Sequence, residues 1–320
     1  MINPVLDRPL EGDTLDSAPD IGQGEYPKGE EAIRLAHQHG LVQIGIRPSL
    51  RNYLKDLWSR HSFTWSLASA RAYSQNQGSY LGQAWAILDP TLQAMWFVIL
   101  FGVIFARDEY NNAIGFITIG IFTFRLFQQS IMSGSNVMRN QQNLMRSHAF
   151  PRAVVPLSDV LTNSILYVRG LIVMVIITFL SGFAARFEAV PISWRWLGAI
   201  PAVILCIMFA AGLSFIFARI GARTPDVAGV MPFVLNVVMF ASGAAFSFNA
   251  LLPVVGERGM RILQMLPTSV LIYVMRSSLL NEPDIPTSAL MWALAVFWAI
   301  ATLLFGFVFF WRGEEHYGQE

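Results

Sequence analysis

Six stretches of the chain stay apolar for about 20 residues, the length a helix rising 1.5 Å per residue needs to cross a bilayer's hydrocarbon core. They lie at about 88–106, 114–134, 160–183, 197–219, 229–249 and 289–311, and each predicts a transmembrane helix. Between the last two, residues 250–288 hold only short apolar pieces, Leu251–Val255, Met260–Leu266 and Ser269–Leu280. None is long or continuous enough to span, so they predict re-entrant or surface helices. Ahead of the first run, Leu50, Tyr53, Leu54, Leu57 and Trp58 recur at helical spacing, with Arg51, Lys55, Asp56 and Arg60 turned the other way. An amphipathic helix with tryptophan and basic residues beside a span lies in the membrane interface or packs on a soluble partner.

The polar ends behave differently. Up to Glu31 there are eight acids against Arg8 and Lys28, and Pro4, Pro9, Pro19 and Pro27 interrupt any helix. Such a segment has too little apolar surface to order itself, and only Glu30–His39 offers a short helix. The expected organisation is an acidic tail over 1–48, an interface-helix region over 49–87, a six-span domain over 88–312 and a short tail over 313–320. The fold class is all-α.

Composition agrees. Hydrophobic residues are 54% and charged residues 13%, about half the charged share of a soluble domain. A net charge of +1 lacks the basic footprint of a nucleic-acid binder. One cysteine, Cys206, excludes a disulfide within the chain. With the N-terminus inside, Lys and Arg divide ten to six between inner and outer segments of the spanning part, which favours both termini on the cytoplasmic side. The loop at 135–156 is the clearest case, with Arg139, Arg146, Arg152 and no acid.

The chemistry on offer is sparse. Neither lysine, Lys28 or Lys55, follows the glycine-rich pattern of a phosphate-cradling loop. If ATP drives the protein, another chain binds it. The histidines lie outside the spans and no metal-ligand spacing occurs, so no metal is expected. Asp89 and Asp159 stand at span starts, and Asp89 precedes Pro90, as at a helix N-terminus. Arg125 falls about 16 Å into the second span. An arginine so deep must face protein or water: it either contacts a passing substrate, bonds a neighbouring helix or snorkels. Arg169 lies nearer the inner face, within snorkelling reach. The fifth run holds small residues, Ala241–Ala245, that let helices approach closely. Phe240, Phe246 and Phe248 flank them, and Trp96, Phe97, Phe101 and Phe105 mark the first run. Aromatic faces suit sugar rings, though they serve equally as packing.

Two stretches resemble the permease subunits of bacterial ABC exporters for cell-surface polysaccharides, the O-antigen, capsule and teichoic-acid export family. In the first, Ser79, Leu81, Gly82, Trp85, Leu88 and Pro90 match the family's approach to its first span. In the second, Leu144, Arg146, Phe150, Pro151, Arg152 and Pro156 fit the pattern around Phe-Pro-Arg, with Asn143 one place out of step. Thr123-Phe124 departs from the family's Pro-Trp, and residues 1–48 exceed its usual N-terminal length, a feature similar to mycobacterial and corynebacterial galactan exporters.

The resemblance implies a homodimer with two copies of an ATPase subunit, which would bind ATP and Mg, in the bacterial cytoplasmic membrane. It implies a lipid-linked polysaccharide as cargo. The loop 135–156 would couple to the ATPase through Leu144, Arg146, Phe150, Pro151 and Arg152. Arg51, Lys55, Arg60 and Arg71 would attract a lipid pyrophosphate. The aromatics of spans one and five, with Arg125, would line a channel, and 250–288 would form gate helices above it. A permease for another lipid or a drug is the alternative. A membrane-embedded transferase would need an acid or histidine cluster at one face, which the sequence does not offer.

Overall fold

A computed structural model describes residues 49–75, 80–97, 99, 112–147, 150–181, 193–245, 248, 252–280 and 288–314. These belong to one compact unit, Arg47–Glu320. Both expected tails fall largely or wholly outside the described residues.

Every regular element among the described residues is helical. Two helices open the fold, α1 (Leu50–Ser59) and α2 (His61–Ser74). They break at Arg60 (φ −100°, ψ 16°), whose carbonyl accepts from the Thr64 amide and hydroxyl. The amphipathic region is therefore a bent pair and not one rod. On α1, Tyr53 turns inward while Leu50, Leu54 and Trp58 stay exposed, an apolar row that the other described residues leave uncovered. On α2, Ala68 and Ala72 seat against α6, where small side chains allow close approach.

The bundle follows: α3 (Trp85–Phe97), α4 (Ala113–Asn140), the short α5 (Gln142–Ser147), α6 (Val154–Ser181), α7 (Ala199–Arg223), α8 (Val227–Ala241), α9 (Leu252–Met265), α10 (Pro267–Leu279) and α11 (Ala289–Trp311). Four helical units are long and apolar enough to cross a membrane: α4, α6, Trp194–Arg223 (a 3-10 turn running into α7) and α11. A fifth is added if Val255–Met265 and Pro267–Leu279, bent by 77°, count as one span. The expected first span enters as α3, and residues 100–111 beyond it lie outside the described set.

The expected fifth span is shorter than its apolar run. Helix α8 stops at Ala241 after 15 residues, about 22 Å and less than the bilayer core. Gly243 takes φ +65° just past the helix, the left-handed conformation glycine adopts cheaply at a helix end. The small-residue run is thus a helix stop.

Helix α4 is the axis of the packing. In its most apolar stretch 78% of residues are buried inside the protein, against 22% for α11. That enclosure explains why α4 tolerates Thr118, Thr123, Ser130 and Ser135 in its interior: its neighbours there are protein atoms and not lipid. Asn112 caps it, accepting from the Gly115 amide at 2.8 Å and donating to Ser181 Oγ at 2.8 Å, so the start of α4 is tied to the end of α6. Gly221 of α7 lies directly against the Ser135 carbonyl, and Gly212 of α7 against Gly306 of α11. Backbones meet at these points because no side chain intervenes.

Candidate functional site

At one end of the bundle a second, separate apolar core joins α1, the end of α4, the start of α6 and the ends of α7 and α11 through Tyr53, Met138, Val155, Phe215 and Phe310. The Phe-Pro-Arg segment is fastened onto it. The Ala153 amide donates to the Tyr53 hydroxyl at 2.9 Å. Phe150 meets the Phe63 ring of α2 at 5.9 Å. The Arg152 amide donates to Glu314 Oε1 at 3.0 Å, and its guanidinium to the Glu314 carbonyl. Burial holds the Glu314 carboxyl above its ordinary pKa, against the lowering effect of Arg152 and Tyr53. Phe150 and Arg152 therefore grip α2 and the segment after α11. Leu144 is half-buried on α5; the Arg146 side chain lies outside the described residues.

The basic residues of α1, α2 and the break between them divide. Arg51, Lys55 and Arg60 are exposed. Arg71 is half-buried and donates to Ser158 Oγ of α6 at 3.1 Å. Burial lowers its pKa, opposed by the nearby Asp159. The Asp159 carboxylate accepts from Ser133 of α4 and from Asn163. One polar network thus links α2, α4 and α6.

Arg125 and Asp89, read separately from the sequence, are brought together. The Arg125 guanidinium ion-pairs with Asp89 and donates to Gln93 Oε1, joining α4 to α3. The pair borders a cavity of about 210 Å³ between α3, α4 and α6 and the end of the interface pair, with Trp85, Gln129 and Tyr167 in its wall.

The channel candidates separate as well. Trp96 is exposed on α3 and Phe240 on α8. Phe248 is enclosed, stacked on Tyr273 at 5.7 Å. Phe97 lies on α3 with its side chain outside the described residues, as are Phe101, Phe105 and Phe246.

Arg276 is the residue sequence reasoning missed. Assigned to an outer loop by charge counting, it sits in α10 with no exposed surface. Its Nε donates to the Phe116 carbonyl at 3.0 Å, Nη1 to Gly243 at 2.9 Å and Nη2 to Ala244 at 2.7 Å, and the guanidinium lies 3.5 Å from the Phe116 ring centre. Gly120 of α4 faces it, where any Cβ would collide. The one signal available was an arginine inside the apolar piece Ser269–Leu280.

The profile of the ABC-2 type transporter family matches residues 64–280, more than half of the chain. The chain belongs to the ABC-2 type transporter family. It is accordingly a multi-pass membrane protein, as its apolar helices require. Two relatives match part of the chain. The O-antigen export system permease protein RfbA of Myxococcus xanthus is 26% identical over 179 residues, covering 56% of this chain and 65% of that protein. Its Klebsiella pneumoniae namesake is 26% identical over 145 residues, covering 45% and 53%. The chain thus matches between half and two thirds of these relatives' length. The family match begins in α2 and ends at Leu280, so α10 and its buried Arg276 fall within the shared part.

Proposed function

We propose that the chain is the membrane-spanning permease of an ATP-driven exporter that moves a lipid-linked polysaccharide across the bacterial cytoplasmic membrane. The observation that carries this is the family match together with relatives named as O-antigen export permeases. In this reading two copies of the chain work with two copies of an ATPase subunit, which holds ATP and Mg. The expected six-span domain takes in α3 at the start of its first span and α8 with the turn after it in its fifth, and α9 and α10 act as gate helices. The end bearing α1, the Phe-Pro-Arg segment and Glu314 faces the cytoplasm. The N-terminal extension together with the span composition resembles galactan exporters, which makes a galactan the first glycan to try.

The geometry supports a mechanism. A push from the ATPase on α5 and the following turn would travel through Ala153–Tyr53 to α1 and through Arg152–Glu314 to α11, because those bonds make the three elements one body. A rigid-body shift of this kind is the ordinary output of a nucleotide motor. Arg51, Lys55 and Arg60, exposed on the same interface element, offer cations to a lipid pyrophosphate.

The test is ATP hydrolysis by the permease–ATPase complex in nanodiscs. Lipid-linked glycan should stimulate it, and Arg146→Glu should remove at least about nine tenths of the stimulation, a loss of about 1.4 kcal/mol in coupling, while the chain still inserts. Unchanged stimulation in the variant would sink the coupling-loop assignment. A complex indifferent to lipid-linked glycan would sink the export reading.

A further inference from the structure

We infer that the cavity between α3, α4 and α6 is a binding site for a single neutral sugar ring, the unit of a glycan nearest its lipid carrier; this rests on the export reading above. The wall chemistry selects that ligand. Its one cation among the named lining groups, Arg125, is already paired with Asp89 and bonded to Gln93, so the site is close to electrically neutral. A phosphate would have to displace Asp89 and then remain beside it, two like charges in contact. A hydroxyl meets no such penalty. It can donate to the Asp89 carboxylate and accept from Arg125, and the Gln75 and Gln129 amides each offer a donor and an acceptor.

The apolar half of the wall completes the match. Trp85 presents an indole ring in the lining, and aromatic faces take the C–H face of a pyranose while leaving its hydroxyls at the edge. Tyr167, Phe122 and Leu166 add further apolar surface to the lining. The volume of about 210 Å³ is below the roughly 300–1,000 Å³ of sites for drug-sized ligands, which fits one ring. The position fits too. Arg125 lies near the middle of α4, a helix of 28 residues, where a sugar in transit has no water and needs protein groups for its hydroxyls.

The permease–ATPase complex in nanodiscs, without nucleotide, is titrated with polyprenyl pyrophosphate carrying one hexose and with the bare polyprenyl pyrophosphate. The wild-type complex should bind the glycosylated form about tenfold more tightly. Trp85→Ala and Gln129→Leu should bring it down to the affinity of the bare carrier, which itself stays unchanged, showing that the variants are folded. Trp85→Phe keeps the ring and should retain most of the preference. Equal affinities in the wild type, or a preference that survives both disabling variants, overturns the pocket. If ATP hydrolysis by the same wild-type samples still responds to lipid-linked glycan, that failure belongs to the pocket alone. A complex with no such response overturns the export reading and the pocket with it.

Discussion

Arg276 carries a side chain of five N–H donors into a place with no exposed surface. It is tolerable there because three backbone carbonyls from two elements converge on it: Phe116 of α4, and Gly243 and Ala244 in the turn after α8. The carbonyls of Gly243 and Ala244 lie where the α8 helix has stopped, so the arginine supplies donors that the helix no longer does. Arg276→Met should leave them unsatisfied and cost about 3 kcal/mol. Arg276→Lys should fall between, since an ammonium keeps the charge but cannot match the fork. Thermal unfolding in detergent should rank wild type above Lys above Met; a Met variant melting with the wild type would show that the clamp contributes nothing. Arg125 follows the same rule with a different partner. Its ion pair with Asp89 answers the sequence question of what a deep arginine faces: a neighbouring helix, at the rim of a cavity.

At the scale of elements, close packing against α7 is set by residues that lack side chains. Gly221 touches the Ser135 carbonyl and Gly212 touches Gly306, so α7 is pressed between α4 and α11 by backbone contact. Gly221→Leu has no room and should destabilise the fold by about 2 kcal/mol or more. Gly229 of α8 has nothing within 4 Å of where a Cβ would stand, and Gly229→Leu should leave yield and melting unchanged. Fluorescence-detected size exclusion of the two variants reads the difference, and equal behaviour would refute the contact as a constraint. The amphipathic period of 50–60 and the long apolar runs of α4, α6, α7 and α11 were legible in the sequence because they depend on spacing alone. The end of α8 was not legible. An apolar run does not reveal that Gly243 turns left-handed and ends a helix inside it.

For the whole molecule, the contacts of Tyr53 with Ala153 and of Arg152 with Glu314 place both ends of the described fold on one face. Trp194 begins the unit whose far end, at Ala222, reaches that face, and so marks the opposite side. A membrane-impermeant maleimide should therefore label Trp194→Cys in intact cells, and Lys55→Cys and Arg312→Cys only after permeabilisation. The native Cys206 is fully buried and gives no background. Labelling of Lys55→Cys from outside would invert the proposed orientation. The apolar surface left open on α3, α8 and α11, with Trp96, Phe233 and Phe305 among its residues, must meet lipid or a second copy of the chain.

What the sequence determined by itself was the medium and the class of machine. Apolar length requires a membrane and a low charged fraction excludes a soluble domain, both properties of composition and spacing that survive without coordinates. The stretch around Phe150–Arg152 added a resemblance to exporter permeases. Tertiary structure alone decided the partners of the charges. Arg125 chose Asp89 from 36 residues away, Arg152 chose Glu314, and Arg276 chose backbone carbonyls that no side-chain pattern encodes. A buried charge is settled by whichever donors and acceptors the packing delivers to it, and packing is a property of the folded chain.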